Sequence, residues 1–85
     1  MGVNDTRRFP AFANFIHETY PHAKTVADVG GGHGNLSYYL RELGHDATII
    51  DTHEAHLPRK LQRALRKQSV KQGRLIEIPR VVGKV

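Results

Sequence analysis

The chain has 85 residues, a formal net charge of +5 at neutral pH and no cysteine. That length allows one small domain, spanning residues 1–85, with a modest core, and the lack of thiols excludes a disulfide framework or a thiolate metal site. No apolar run approaches the roughly 18 residues of a membrane span and the N-terminus lacks a signal-peptide core, so the expectation is a cytoplasmic protein without a membrane partner.

In chain order, residues 1–8 are polar. From Phe9 to Tyr20 the apolar residues Phe9, Phe12, Ala13, Ile16 and Tyr20 recur at three- and four-residue steps, with Pro10 in the first turn and Pro21 as the stop. This is the stripe of an amphipathic helix, expected to pack as core over one sheet face. Thr25 to Val29 is a first strand, apolar except for Asp28. Leu36, Tyr39, Leu40 and Leu43 mark a helix of about two turns, closed by Gly44 as its C-cap.

Ala47 to Ile50 is a second apolar strand with Asp51 at its C-terminal end. Continuous apolar runs of this kind read as buried on two faces, which favours a parallel sheet over a hairpin. Pro58 opens a further helix with Leu57, Leu61, Ala64, Leu65 and Gln68 on one side and Arg59, Lys60, Arg63, Arg66, Lys67 and Lys71 filling most of the rest. Gly73 stops it. Arg74 to Ile78 is the third strand candidate, and Pro79 leaves Arg80 to Val85 as an edge or terminal extension.

The element order is helix–β–α–β–α–β, an α/β fold. Right-handed crossovers set the parallel strands in spatial order 3-2-1 with the helices on one face. The other face is then uncovered, and a second copy or a partner chain is expected to close it.

The densest chemical signal is Val26-Ala27-Asp28-Val29-Gly30-Gly31-Gly32-His33-Gly34-Asn35. Four glycines in five residues suit a backbone that turns tightly and admits a ligand close to the main chain. A helix starting directly afterwards points free N–H groups and a positive dipole end into the turn. In an open α/β sheet ligands lie outside the carboxyl ends of the strands. That places Asp51 beside the turn, the arrangement for a nucleoside whose charged end meets the glycines and whose ribose hydroxyls meet the carboxylate. The dinucleotide fingerprint G-x-G-x-x-G/A fails, because Asn35 or Ser37 falls at its last position, and the Gly-Lys-Ser/Thr of a P-loop is missing.

What fits is acid-x-Gly-x-Gly-x-Gly, as Asp28, Gly30, Gly32 and Gly34. This resembles the first motif of the class I, Rossmann-like S-adenosylmethionine-dependent methyltransferases. The resemblance spans roughly residues 9–78 and implies roles residue by residue. Asp28 would orient the turn and meet the amino group of the methionine moiety. Gly30, Gly31 and Gly32 would offer their backbone to that moiety, with Gly34 completing the motif. Asp51 would hold the ribose hydroxyls, and Thr52 would lie at the adenine edge. The family's sheet has six or seven strands in a three-layer fold, so the chain resembles a truncated form carrying the cofactor-binding half. No Asn/Asp-Pro-Pro-aromatic motif is present and no catalytic residue is assigned. Two functions follow: methyl transfer to an unidentified substrate, with a partner or as an oligomer, or a non-catalytic cofactor- or nucleic-acid-binding remnant of the fold.

Other residues carry weaker signals. His53-Glu54-Ala55-His56 lacks the spacing of His-Glu-x-x-His, and Asp51, His53 and His56 form at best a loose three-ligand set, so no metal is expected. His33, inside the turn, is placed to touch cofactor or substrate. Of Tyr38 and Tyr39, at least one is expected in the core. Charge is divided unevenly, −3 over residues 1–57 and +8 over residues 58–85. The basic helix is therefore either a solvated face or a surface for RNA, through Arg59, Lys60, Arg63, Arg66, Lys67 and Lys71.

Overall fold

The computed structural model describes residues 7–53 and 55–83. Six elements follow in the order α1 (Arg8–Thr19), β1 (Thr25–Val29), α2 (Asn35–Glu42), β2 (Asp46–Asp51), α3 (Arg59–Gln72) and β3 (Arg80–Val82). The strands form one parallel sheet in the order β1-β2-β3, the expected small α/β arrangement. Among the described residues no helix is long and apolar enough to cross a membrane.

The helices α2 and α3 end in the same way. The Gly44 N–H donates to the Arg41 carbonyl and the His45 N–H to that of Leu40, each at 3.0 Å. The Gly73 N–H donates to Val70 and the Arg74 N–H to Ser69. This paired closure satisfies the last carbonyls and turns the chain sharply back toward the sheet. The core is correspondingly small. Ala13, Leu40 and Ala47 are fully buried at its centre, with Ile16, Val26, Leu36, Tyr39 and Leu43 packed around them.

A buried histidine ties α1 to the segment before β1. The Nδ1 of His45 faces the Ala23 carbonyl and must carry the proton there, so its Nε2 accepts from the Nδ1–H of His17 at 2.9 Å. Both faces of a residue only 3% exposed are thereby satisfied.

Three sequence expectations are corrected. First, the third strand is Arg80–Val82, and residues 74–78 form no strand. The chain leaves Gly73 and runs back along α3, where the Ile76 N–H donates to the Ser69 hydroxyl at 2.9 Å. Pro79 then delivers its carbonyl to the Ile49 N–H at 2.9 Å, so the ladder starts at the residue that cannot donate.

Second, the aromatic stripe of α1 is not core. Ala13 is buried, but Phe12 and Tyr20 are 51% and 63% exposed. The helix lies alongside α2, where a small residue permits close approach, and no element among the described residues covers its flanks. Third, β1 and β2 are buried on one face and not on two, in line with the uncovered sheet face that the expected strand order implied. Val26 and Ala47 share the covered face, as do Asp28 and Ile49. Val29, Ile50 and Val81 share the other, where Val29 is 62% and Val81 54% exposed.

Ala64, Leu65 and Gln68 are half-buried and Leu61 is buried, as the helical pattern of α3 requires, and Leu57, ahead of the helix, is half-buried. Tyr38 is buried and Tyr39 half-buried, their rings edge to face at 5.1 Å.

Candidate cofactor site

The glycine turn grows directly out of the sheet. The Gly30 N–H donates to the Ile50 carbonyl at 2.6 Å, which carries the β1–β2 ladder one residue past Val29. The chain then folds back, with the Gly34 N–H donating to the Gly31 carbonyl at 3.0 Å, and enters α2 with Gly34 as its N-cap. The glycines serve two different purposes. At Gly32, φ is 57° and a Cβ would meet nothing within 4 Å. At Gly34, φ is 97° and a Cβ would lie 2.5 Å from Ile49 Cδ1 and 3.2 Å from Leu57 Cδ2. Gly32 therefore keeps a surface open, whereas Gly34 lets the helix start press onto the sheet.

Asp51 reaches that open surface from the end of the neighbouring strand. Its Oδ2 accepts from the Gly32 N–H at 2.7 Å and its Oδ1 from the His53 N–H at 3.0 Å. The N–H groups of His53 and Gly32 hold its carboxyl below the ordinary value of 3.8. A carboxylate has about four acceptor positions, and the N–H groups of His53, Gly32 and Thr52 are directed at this one, so part of its capacity remains toward a ligand. The imidazole of His53 stands 3.7 Å from Oδ1 and is exposed. The Thr52 hydroxyl, also exposed, lies 3.0 Å from His53 Nδ1.

The unfolded chain binds a proton at Asp51 more readily than the folded one, so this carboxylate stabilises the fold fully above about pH 5 and progressively less as pH falls through the folded pKa. Urea unfolding between about pH 5 and pH 3 is expected to show wild type losing stability more steeply than Asp51→Asn. Parallel curves would remove the linkage.

Asp28 lies beneath the turn on the covered face. Its Oδ2 accepts from the Ser37 hydroxyl at 2.8 Å, and its carboxyl carbon would sit 2.8 Å from any Cβ at position 31. It therefore braces the turn against the first helical residues. His33 Nδ1 donates to the His56 carbonyl at 2.9 Å, which fixes the ring and leaves Nε2 as the acceptor. Tyr38 is no candidate base, because burial and the Glu42 carboxylate push its hydroxyl up to about 12.

Two further residues shape the site. Ser37, fully buried, supports Asp28. Arg80, 48 residues from Gly32, donates from Nη1 to the Gly32 carbonyl at 2.6 Å and from Nη2 to that of His33 at 3.2 Å. The parallel register sets Arg80 opposite Ile49, and its forked guanidinium clamps the turn from below. Arg80→Ala is expected to weaken ligand binding at the turn about 10-fold, from the loss of roughly 1–2 kcal/mol of positioning hydrogen bonds. Arg80→Lys, a single point charge, should recover only part. Titration of both variants checks this, and unchanged affinity in Arg80→Ala would show that the clamp is dispensable.

A shallow pocket of about 230 Å³ lies between α3 and the chain leading to β3, lined by Ile49, Leu57, Leu65, Ile78 and Arg80 among others. Neither the open glycine face nor Asp51 contributes to it, so it is a packing gap behind the site. Among the described residues no cluster of three or more histidines and carboxylates comes together to hold a metal ion. Asp51 and His53 are adjacent, His56 is drawn to His33 through its carbonyl, and Glu54 lies outside the described residues.

No family model matches the chain, and no curated protein is significantly similar to it. The likeness to the methyltransferases accordingly rests on Asp28, the glycine turn and Asp51.

Proposed function

We propose that the domain binds S-adenosylmethionine at the Gly30–Gly34 turn and serves methyl transfer. One observation carries this reading. Asp51 and Gly32, 19 residues apart, meet at 2.7 Å at the carboxyl edge of the sheet, with open space over Gly32 and spare acceptor positions on the carboxylate. That remaining acceptor capacity suits a nucleoside whose ribose hydroxyls donate to the carboxylate and whose tail lies flat on backbone. Bound there, the cofactor supplies a methyl group made electrophilic by its sulfonium.

The chain's own residues bind and orient. Asp51 accepts from the ribose hydroxyls, and Thr52 stands at the adenine edge. Gly30, Gly31 and Gly32 present backbone to the methionine portion. Asp28 braces the turn and offers its second oxygen to the amino group, while His33 presents Nε2 toward cofactor or substrate. Holding donor and acceptor in line supplies most of what this reaction needs.

Ligand-linked unfolding tests the reading. S-adenosylhomocysteine at about 100 times its dissociation constant should stabilise the fold by about 2.7 kcal/mol, whereas NAD at the same concentration should leave the melting temperature unchanged. Stabilisation by NAD and not by S-adenosylhomocysteine would replace this reading with a dinucleotide site.

A further inference from the structure

The basic face of α3 plays no part in the glycine site, and its electrostatics are unfavourable as they stand. The helix reads RKLQRALRKQSVKQ and contains six cations and no carboxylate. Arg59, Lys60, Arg63, Arg66, Lys67 and Lys71 are all exposed. None of the six forms an ion pair with a described carboxylate. Arg59 and Arg63, Arg63 and Lys67, and Lys67 and Lys71 are like charges at i, i+4, a spacing that destabilises a helix. Arg59 and Lys60 also occupy the first turn, where the helix dipole disfavours cations. Ordinary solvated helices mix the two signs, so an uncompensated face of this kind calls for an external anion.

At 100° per residue the six side chains fall within an arc of about 140°, and from Arg59 to Lys71 they run about 18 Å along the axis. Buried Leu61 and half-buried Leu65 occupy the far side, against the body of the domain, with half-buried Ala64 at the edge of the basic arc. That excludes a helix lying in a bilayer surface, which must free its apolar face for lipid. The face carries no aromatic side chain, so it has no platform on which unpaired bases could stack. A regular array of phosphates fits both constraints.

We propose that the exposed face of α3 binds the phosphate backbone of double-stranded nucleic acid, without reading its sequence. About 18 Å of B-form duplex carries roughly ten phosphates, enough for every cation on the face. The surface also begins next to the glycine turn. Leu57, two residues before α3, packs toward Gly34, and the His56 carbonyl holds His33. A duplex on α3 therefore passes close to the turn at one end. Phosphate binding is nevertheless independent of any cofactor there.

Fluorescence anisotropy with duplexes of about 20 base pairs, DNA and RNA, tests the proposal over a salt series. Contact with about five phosphates predicts a slope of log K against log [salt] near −4.5, a loss of roughly 500-fold between 50 and 200 mM salt. The double variant Arg63→Glu/Lys67→Glu should bind at least about 10-fold more weakly, with a slope shallower by about two. It should melt no lower than wild type, because two of the three like-charge pairs become opposite-charge pairs and only the 63/67 pair stays like-charged, so lost binding cannot be blamed on lost folding. Undiminished affinity in the double variant would overturn the proposal, as would no duplex binding at 50 mM salt, or capture by anionic vesicles without capture by duplex. A wild-type response to S-adenosylhomocysteine that survives in the double variant separates this result from the fate of the cofactor site.

Discussion

Gly34→Ala is expected to destabilise the domain by about 2–4 kcal/mol. Two costs add. With φ at 97° the position lies beyond the narrow left-handed basin open to alanine, a strain of about 1–3 kcal/mol. The new methyl would also stand 2.5 Å from Ile49 Cδ1. Ile49 is 1% exposed and has nowhere to swing, so the crowding adds about 1–2 kcal/mol. An 85-residue domain has about 4–13 kcal/mol in total, so this one methyl takes a large share. Gly32→Ala provides the contrast. Its φ of 57° is within reach of alanine and its Cβ meets open space, so about 1 kcal/mol of stability is lost while the ligand surface is filled. Urea unfolding followed by circular dichroism should rank Gly34→Ala far below Gly32→Ala in stability. Binding of S-adenosylhomocysteine should fail in Gly32→Ala although the protein is folded. A Gly34→Ala protein within about 0.5 kcal/mol of wild type would show that the helix start is not pressed onto the sheet as the structure has it.

Asp51→Asn should weaken S-adenosylhomocysteine about 10- to 100-fold. The substitution keeps the shape but replaces two charged acceptors with one neutral acceptor and a donor, and hydrogen bonds to an ionised acceptor are roughly twice as strong as neutral ones. The amide also cannot accept from both the Gly32 and His53 N–H groups, which Asp51 holds at 2.7 and 3.0 Å, so the turn itself loosens. Calorimetric titration of the variant measures the loss, and an affinity within threefold of wild type would remove Asp51 from the site.

How much of this was legible in the sequence depended on distance along the chain. The glycine turn, its flanking Asp28 and the strand end at Asp51 are local signals, and the structure brings Asp51 and Gly32 into contact as strand order alone implied. The helix stops at Gly44 and Gly73 were equally readable, because a C-cap is set by adjacent residues. The third strand was not. Arg74 to Ile78 has strand-like composition, but Ser69 on α3 captures its backbone, and only Pro79 onward meets β2. Propensity lost to tertiary contact there. The stripe on α1 identifies an apolar face but not what covers it, so it points to Phe12 and Tyr20 as core, whereas the core on this helix extends only to Ala13 and Ile16. Arg80 carried no local signal, since the parallel register alone sets it opposite Ile49 and in reach of the turn.

The cofactor site is tested most directly by titrating ¹⁵N-labelled protein with S-adenosylhomocysteine and following the backbone amides. Binding at the turn predicts shifts concentrated at Gly30 to Gly34 and at Asp51 to His53, with the amides of α3 unmoved. Shifts confined to α3, or none at millimolar ligand in a folded protein, would contradict it.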